Sequence, residues 1–212
     1  MDSLELTVTT HPLTLARLTQ LRDERTGDAE FRNLLTRVSE MLIYEAFADQ
    51  PTTPVTVQTP VGRADGVELT EAPIFVPVLR AGLGMLDAAL RMVPEAQVGF
   101  VGVKRDEATA QPVEYLVSLP DSLAGRRVYV IDPMLATAGS LLHTLDIVDR
   151  RGATDVTAVC VVGAPEGIEA LRRSGRRLRL VIGAVDDHLN EDSYIVPGLG
   201  DAGDRQFGPR NM

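Results

Sequence analysis

From residue 74 onward, short unbroken apolar runs alternate with stretches in which apolar positions recur at helical spacing. Residues 74–78, 98–103, 113–119, 128–131, 156–162 and 178–182 are rich in Val, Ile and Leu and lack strict alternation. That is the pattern of strands covered on both faces. Between them, residues 82–92, 141–150 and 166–173 show helical periodicity, and Gly152 supplies a stop for the second of these helices. The alternation predicts an α/β fold, a mostly parallel twisted sheet with helices on both faces. Upstream, Phe31, Leu34, Leu35, Val38, Met41, Leu42 and Phe47 share one helical stripe, with Asp28 as its cap. Residues 55–59 alternate, residues 62–66 carry turn chemistry and residues 67–69 return, so this segment is expected to be a hairpin. A two-stranded hairpin is marginal alone, and a second subunit is the expected packing partner. Residues 193–212 are rich in Gly and Pro and show no regular period.

In open α/β sheets ligands bind beyond the carboxyl ends of the strands. The loops after Val78, Val103, Ile131 and Ile182 are therefore expected to gather on one edge. The most informative of them follows residues 128–131. Asp132 ends that strand, a loop of small and hydroxyl residues follows, and Ser140 stands where a helix begins. Asp132 can accept hydrogen bonds from ribose hydroxyls. The backbone N–H groups of residues 136–140 and two hydroxyls can wrap a phosphate at the helix N-terminus. Taken alone, Asp132-Pro133 is also an ordinary turn and Ser140 an ordinary cap.

Two further strand ends carry basic residues. Arg80 follows residues 74–78 and precedes Gly82 and Gly84, which allow close backbone approach; its fork matches phosphate oxygens. Lys104 and Arg105 follow Val103 and lead into a polar stretch that would close over a diphosphate. Each segment by itself also fits a solvated loop. Finally, the tail from Tyr194 to Gly208 holds four glycines after residue 197 beside Tyr194, Ile195, Asp201, Asp204 and Arg205. Its backbone would read a planar heterocycle edge-on, with apolar side chains against the ring faces.

Composition narrows the field. A chain of 212 residues with 44% hydrophobic content suits one α/β domain with an appendage, and only 4% aromatics without Trp makes the core aliphatic. A net charge of −9 argues against nucleic acid or anionic membranes as partners. The lone Cys160 lies in an apolar run and is expected to be a buried hydrophobe, with no internal disulfide. No secretory pattern and no apolar run of about 18 residues occurs, so a soluble, cytoplasmic protein is expected. His11, His143 and His188 lack metal-ligand spacing and read as structural. Asp186 and Asp187 read as loop or capping residues before metal ligands. No P-loop, Gly-x-Ser-x-Gly elbow or Cys-x-x-Cys pair is present.

Together these segments resemble the uracil phosphoribosyltransferases, members of the type I phosphoribosyltransferase family, from about His11 to the end of the chain. The resemblance implies one phosphoribosyltransferase domain over residues 1–212. Residues 1–72 would form N-terminal helices and a hairpin arm, and residues 186–212 a base-recognition hood. It implies transfer of the 5-phosphoribosyl group of 5-phospho-α-D-ribose 1-diphosphate (PRPP) to uracil, with Mg²⁺ as cofactor and a homodimer or higher homo-oligomer as the working form. By this resemblance Arg80 and Arg105 would grip the diphosphate. Asp132, Pro133, Met134, Leu135, Ala136, Thr137, Ala138, Gly139 and Ser140 would hold the ribose 5-phosphate. Tyr194, Ile195, Gly200, Asp201 and Ala202 would read uracil. Asp201 would also face the ribose–diphosphate end through magnesium-bound water, and Arg105 and Asp201 would be the catalytic pair.

Three positions bear on that resemblance. Ala138 stands where the family usually has Gly, so a positive φ there would cost about 1 kcal/mol. Lys104 stands where an aromatic is common. Asp132-Pro133 lacks the second acid of many type I relatives, which is the uracil family's own pattern. No separate effector site is legible, so regulation by GTP stays open. Two alternatives remain on the same residues, a nucleotide-sensing RNA-binding regulator, disfavoured by the acidic charge, and a transferase for another base.

Overall fold

The structure, a computed structural model, describes residues 3–105 and 112–209, and the backbone alone at residues 104, 105, 112 and 113. Strand β1 (Leu4–Val8) is followed by α1 (Pro12–Arg22), α2 (Asp28–Ala46) and the hairpin β2 (Thr52–Gln58) and β3 (Arg63–Leu69). The alternating part comprises β4 (Ile74–Leu79), α3 (Leu83–Met92), β5 (Gln97–Val98), β6 (Phe100–Arg105), β7 (Pro112–Ser118), β8 (Arg127–Ile131) and β9 (Met134–Leu135). It continues through α4 (Gly139–Arg150), β10 (Asp155–Gly163), α5 (Pro165–Arg173) and β11 (Leu178–Val185). The tail adds β12 (His188–Leu189), β13 (Ile195–Val196) and α6 (Ala202–Phe207).

The main sheet runs β1-β11-β10-β8-β4-β6-β7, with β5 beside β4 and β9 beside β10. Every pairing in it is parallel except β6 with β7. The chain winds from β4 to β6 in one direction and from β8 through β10 to β11 in the other. The order therefore reverses between β4 and β8, where a crevice opens at the carboxyl ends.

Both faces of the central strands β4, β8, β10 and β11 are covered, which explains why they read as continuous apolar runs. The antiparallel edge strand β7 instead leaves Tyr115 and Leu116 at 51% and 42% exposure. Val76, Val128, Val130, Ala158 and Cys160 pack with Leu141, Leu145 and Val148 of α4 and Ile168 and Leu171 of α5. The alternate positions Phe75, Tyr129, Ile131, Val159 and Val161 face Leu34, Leu35, Val38 and Leu42 of α2 and Met85 of α3. Phe47 stacks on Tyr129 at 4.3 Å between centroids. Cys160 is fully buried, and burial pushes its thiol up, so it serves as an apolar side chain. At the amino ends of β8, β10 and β11, Arg127 and Arg179 each pair with both Asp49 and Asp155, which ties the chain after α2 to the sheet.

Several local expectations change. Asp28 is the first residue of α2, and Gly27 occupies the cap position. Residues 4–8 add a parallel edge strand that the apolar pattern did not single out. The tail is not irregular, because β13 pairs with β12 and residues 202–207 form a helix. Tertiary burial accounts for this order. Ile195, Leu199 and Ala202 join the α2-side core, and full burial of an Ile or Leu side chain stabilises by about 1.5–3 kcal/mol. His11 caps α1 through Nδ1, which accepts the Leu13 N–H at 3.2 Å.

Candidate active site

A cavity of about 600 Å³ lies at the sheet reversal. It is lined by Val78, Leu79, Arg80 and Ala81 after β4, by Val103 on β6, and by Asp132, Met134, Ala136, Thr137, Gly139 and Ser140 after β8. Its outer wall is Asp192, Ser193, Tyr194, Ile195, Gly200, Asp201, Ala202 and Gly203 of the tail.

The loop from Asp132 to Ser140 is held from below. Pro133, Leu135 and Ala138 are buried and do not line the cavity. The Pro133 carbonyl accepts the N–H groups of Val161 and Val162, and the Leu135 carbonyl accepts that of Ala164, all within 2.9–3.1 Å. These residues anchor the loop to β10, which leaves Ala136, Thr137, Gly139 and Ser140 facing the cavity. Ala138 has φ 65°, a left-handed conformation that costs about 1–2 kcal/mol for a residue with a Cβ. The methyl is 5% exposed and packs in the α4-side core, which offsets part of that cost. The cap residue Ala138 offers no side-chain bond, and no acid stands in the first turn of α4. The Gly139 N–H makes only a long 3.4 Å contact with Thr137 Oγ1, so the leading N–H groups can turn to an anion.

Asp132 is 9% exposed. Among the described residues its Oδ1 accepts only a long contact from the Met134 N–H, at 3.4 Å. Burial raises its pKa to about 7, against which that single bond offers little. A buried carboxyl poorly supplied with donors is suited to accept hydrogen bonds from ligand hydroxyls.

Arg80 follows the cis peptide Leu79–Arg80. Its Nη2 donates to Asp204 Oδ1 at 3.1 Å, and its Nε is buried without a partner among the described residues. Gly82 is required just behind it: a Cβ there would stand 2.5 Å from the Ile131 carbonyl and 2.7 Å from the Val78 nitrogen. This close approach presses the loop after β4 against the loop after β8. On the tail side, Asp201 caps α6 by accepting the Asp204 N–H at 2.8 Å. Gly200 has φ 78°, a conformation that glycine adopts freely.

The structure thus brings Arg80, Asp132, Met134, Ala136, Thr137, Gly139, Ser140, Tyr194, Ile195, Gly200, Asp201 and Ala202 to one cavity. Arg105 ends β6, and its side chain lies outside the described residues, as do Asp106 and Glu107. Asp192 and Ser193 were not foreseen. They sit in a turn organised by Asn190, whose Oδ1 accepts the N–H groups of Asp192 and Tyr194. The Asn-Glu-Asp-Ser run is a turn signal in the sequence, but nothing in it points toward a ligand. Among the described residues no cluster of three or more His, Cys, Asp or Glu side chains is placed to cage a metal.

The model of the family described as uracil phosphoribosyltransferase matches residues 8–209. The chain belongs to the uracil phosphoribosyltransferase family. Curated relatives bearing that name occur in Corynebacterium diphtheriae, at 55% identity over 209 residues and 99% of both chains, and in Corynebacterium efficiens, at 54% over the same share. A solved structure of a protein from Aquifex aeolicus superposes with a TM-score of 0.90 at 37% identity, covering 96% of this chain and 98% of that one. Within this family frame, the loop at residues 132–140 and the tail at residues 194–203 are neighbours, although residues 141–193 separate them along the chain. Among the described residues no helix is long and apolar enough to cross a membrane.

Proposed function

We propose that this protein transfers the 5-phosphoribosyl group of PRPP to N1 of uracil, giving UMP and diphosphate, a pyrimidine-salvage reaction. The observation that carries this reading is the single cavity shared by Asp132, the loop through Ser140 and the glycine-rich tail. In it, the backbone of residues 136–140 and the hydroxyls of Thr137 and Ser140 hold the 5-phosphate at the start of α4. Asp132 accepts the ribose hydroxyls. Ile195 and residues 200–202 present backbone groups to the two carbonyls and N3–H of uracil, with Tyr194 at the rim.

Breaking the anomeric C–O bond builds positive charge on the ribose and negative charge on the departing diphosphate, and N1 forms its bond from the opposite face as its proton is released to the diphosphate oxygens or to water. Arg80, joined by Arg105, offsets the leaving-group charge, and the shared cavity holds N1 near its target. The Arg80–Asp204 pair is half-exposed, so the guanidinium can exchange that carboxylate for phosphate oxygens at small cost. Mg²⁺ fits this donor set. The carboxylates at the cavity are oxygen donors spread apart rather than caged, which suits an ion carried on the diphosphate and touched by Asp201 through water. Bound there, the ion would supply further neutralisation of the diphosphate.

We also infer a cytoplasmic homodimer. The β2–β3 hairpin forms its own two-stranded sheet and leaves Val57, Val61 and Val67 at 52%, 98% and 66% exposure, an apolar arm that suits a second copy. Sedimentation as a monomer at micromolar concentration would refute that part. The main test is release of diphosphate with Mg²⁺, expected only when uracil and PRPP are both present. Folded protein that releases none, or that prefers orotate or hypoxanthine over uracil in competition, overturns the assignment.

A further inference from the structure

The turn that feeds the base-reading backbone is gripped from outside the cavity. Asp186, just beyond β11 and 8% exposed, accepts the Gly198 N–H on Oδ2 at 2.8 Å. Arg22, the last residue of α1, donates to both Asp186 oxygens at 2.6 Å and to the Gly198 carbonyl at 2.7 Å. Both polar groups of Gly198 are thereby taken by one ion pair. Gly198 itself has φ 60°, and a Cβ there would lie 2.1 Å from the Ile195 carbonyl, so the turn is folded tightly onto the start of β13. Asp186 is in turn fixed by its own N–H, which donates to the Gly163 carbonyl at the end of β10 at 2.8 Å. Neither Arg22 nor Asp186 lines the cavity.

A second arginine holds the other end of the same turn. Arg205 donates to the carbonyls of Leu21, Leu199, Asp23 and Thr26 and lies over the Phe31 ring at 4.3 Å. The segment from Gly198 to Gly200 is therefore suspended between two arginine anchors, both reaching the chain around the end of α1. The residues that line the cavity immediately before and after this span are Ile195 and residues 200–203.

We propose that the Arg22–Asp186 pair is a positioning element for nucleobase recognition. It acts through the backbone of Gly198 to aim residues 200–202 at the heterocycle. This inference rests on the uracil reading above. The physical argument is pre-organisation. A glycine-rich turn left to itself samples many conformations, and each binding event would then have to order it. The bidentate geometry matters because a guanidinium reaches two carboxylate oxygens and a carbonyl at once in a fixed fork, which an ammonium does not offer. The 5-phosphate loop after β8 makes none of these contacts, and the Asp201 carboxylate that faces the diphosphate end is held separately by the Asp204 N–H, so the effect should fall on the base and spare PRPP.

The test is steady-state kinetics on Arg22→Lys and Asp186→Asn, with PRPP binding alone followed by calorimetry. The expected result is a uracil KM raised about tenfold or more, from a displaced reading edge, with the PRPP KM and the PRPP Kd within about twofold of wild type. The double variant should be no worse than the more impaired single variant, because both changes remove one device. A merely structural role would lower the active fraction, hence kcat, and leave the uracil KM alone; that outcome overturns the proposal, as does a parallel rise in both KM values. If Asp186→Asn does not fold, Arg22→Lys carries the test, since it keeps a cation beside the buried carboxylate. Active wild-type enzyme with an unchanged uracil KM in the variants refutes the positioning role alone. A wild type that does not convert uracil refutes the functional reading and this inference with it.

Discussion

Replacing Asp132 by Asn separates what this residue contributes to ligand binding from what it costs the fold. Burial raises the carboxyl from 3.8 to about 7. That is roughly three powers of ten in proton affinity, and at about 1.36 kcal/mol each the cost of ionising it in the ligand-free protein is at most about 4 kcal/mol. The sign follows from which state holds the proton. Below pH 3.8 the group is protonated whether the chain is folded or unfolded, and no penalty exists. As pH rises toward 7 the unfolded chain releases its proton while the folded one retains it, so stability falls. Above about 7 both states are ionised and the penalty is complete. The carboxamide of the variant cannot titrate. Urea unfolding of both proteins should therefore show wild type losing about 2–3 kcal/mol relative to the Asp132→Asn variant between roughly pH 5 and pH 8. The other titrating groups are shared and cancel in the difference. A gap that is constant with pH, or that moves the other way, would refute the claim that Asp132 is held in a desolvated, donor-poor site. The same variant should bind PRPP about 10- to 100-fold more weakly, because charge-assisted bonds to the ribose hydroxyls are worth about 1.5–3 kcal/mol. Its affinity should also lose the increase expected of wild type as pH passes through about 7.

Two other substitutions test the same geometry. Gly82→Ala forces a Cβ to 2.5 Å from the Ile131 carbonyl, against backbone, and should lower stability by about 2 kcal/mol or more, visible as a Tm several degrees lower; a Tm equal to wild type would mean that the two loops are not pressed together as described. Asp201→Asn keeps an oxygen that can cap α6 but removes the charge, so kcat should fall while uracil affinity and the α6 cap survive. A loss confined to uracil affinity would show that the carboxylate serves the base and not the diphosphate end.

Much of this protein is local in origin and legible along the chain. The central strands β4, β8, β10 and β11 are apolar runs because they are covered on both faces, and the helices between them obey the 3.6-residue period. The apolar run at residues 113–119 is instead an edge strand with Tyr115 and Leu116 exposed. The loop from Asp132 to Ser140 is equally legible, since a strand end, small residues and a helix start follow one another in immediate succession. What short-range pattern does not carry is which distant pieces meet. Residues 193–209 look irregular because their order comes from burying Ile195, Leu199 and Ala202 against α2, and from contacts with the end of α1 more than 170 residues away in the chain. The near-neutral titration of Asp132 arises from the desolvation of a folded pocket, and the left-handed φ of Ala138 from a loop tied down to β10. Hydrophobic periodicity and turn chemistry act within a few residues, whereas desolvation and the pairing of Arg22 with Asp186 exist only once the sheet has brought its strand ends together. Local chemistry along the chain thus dictates the layers of the fold and the loop from Asp132 to Ser140, while long-range packing makes the tail the second wall of the same cavity.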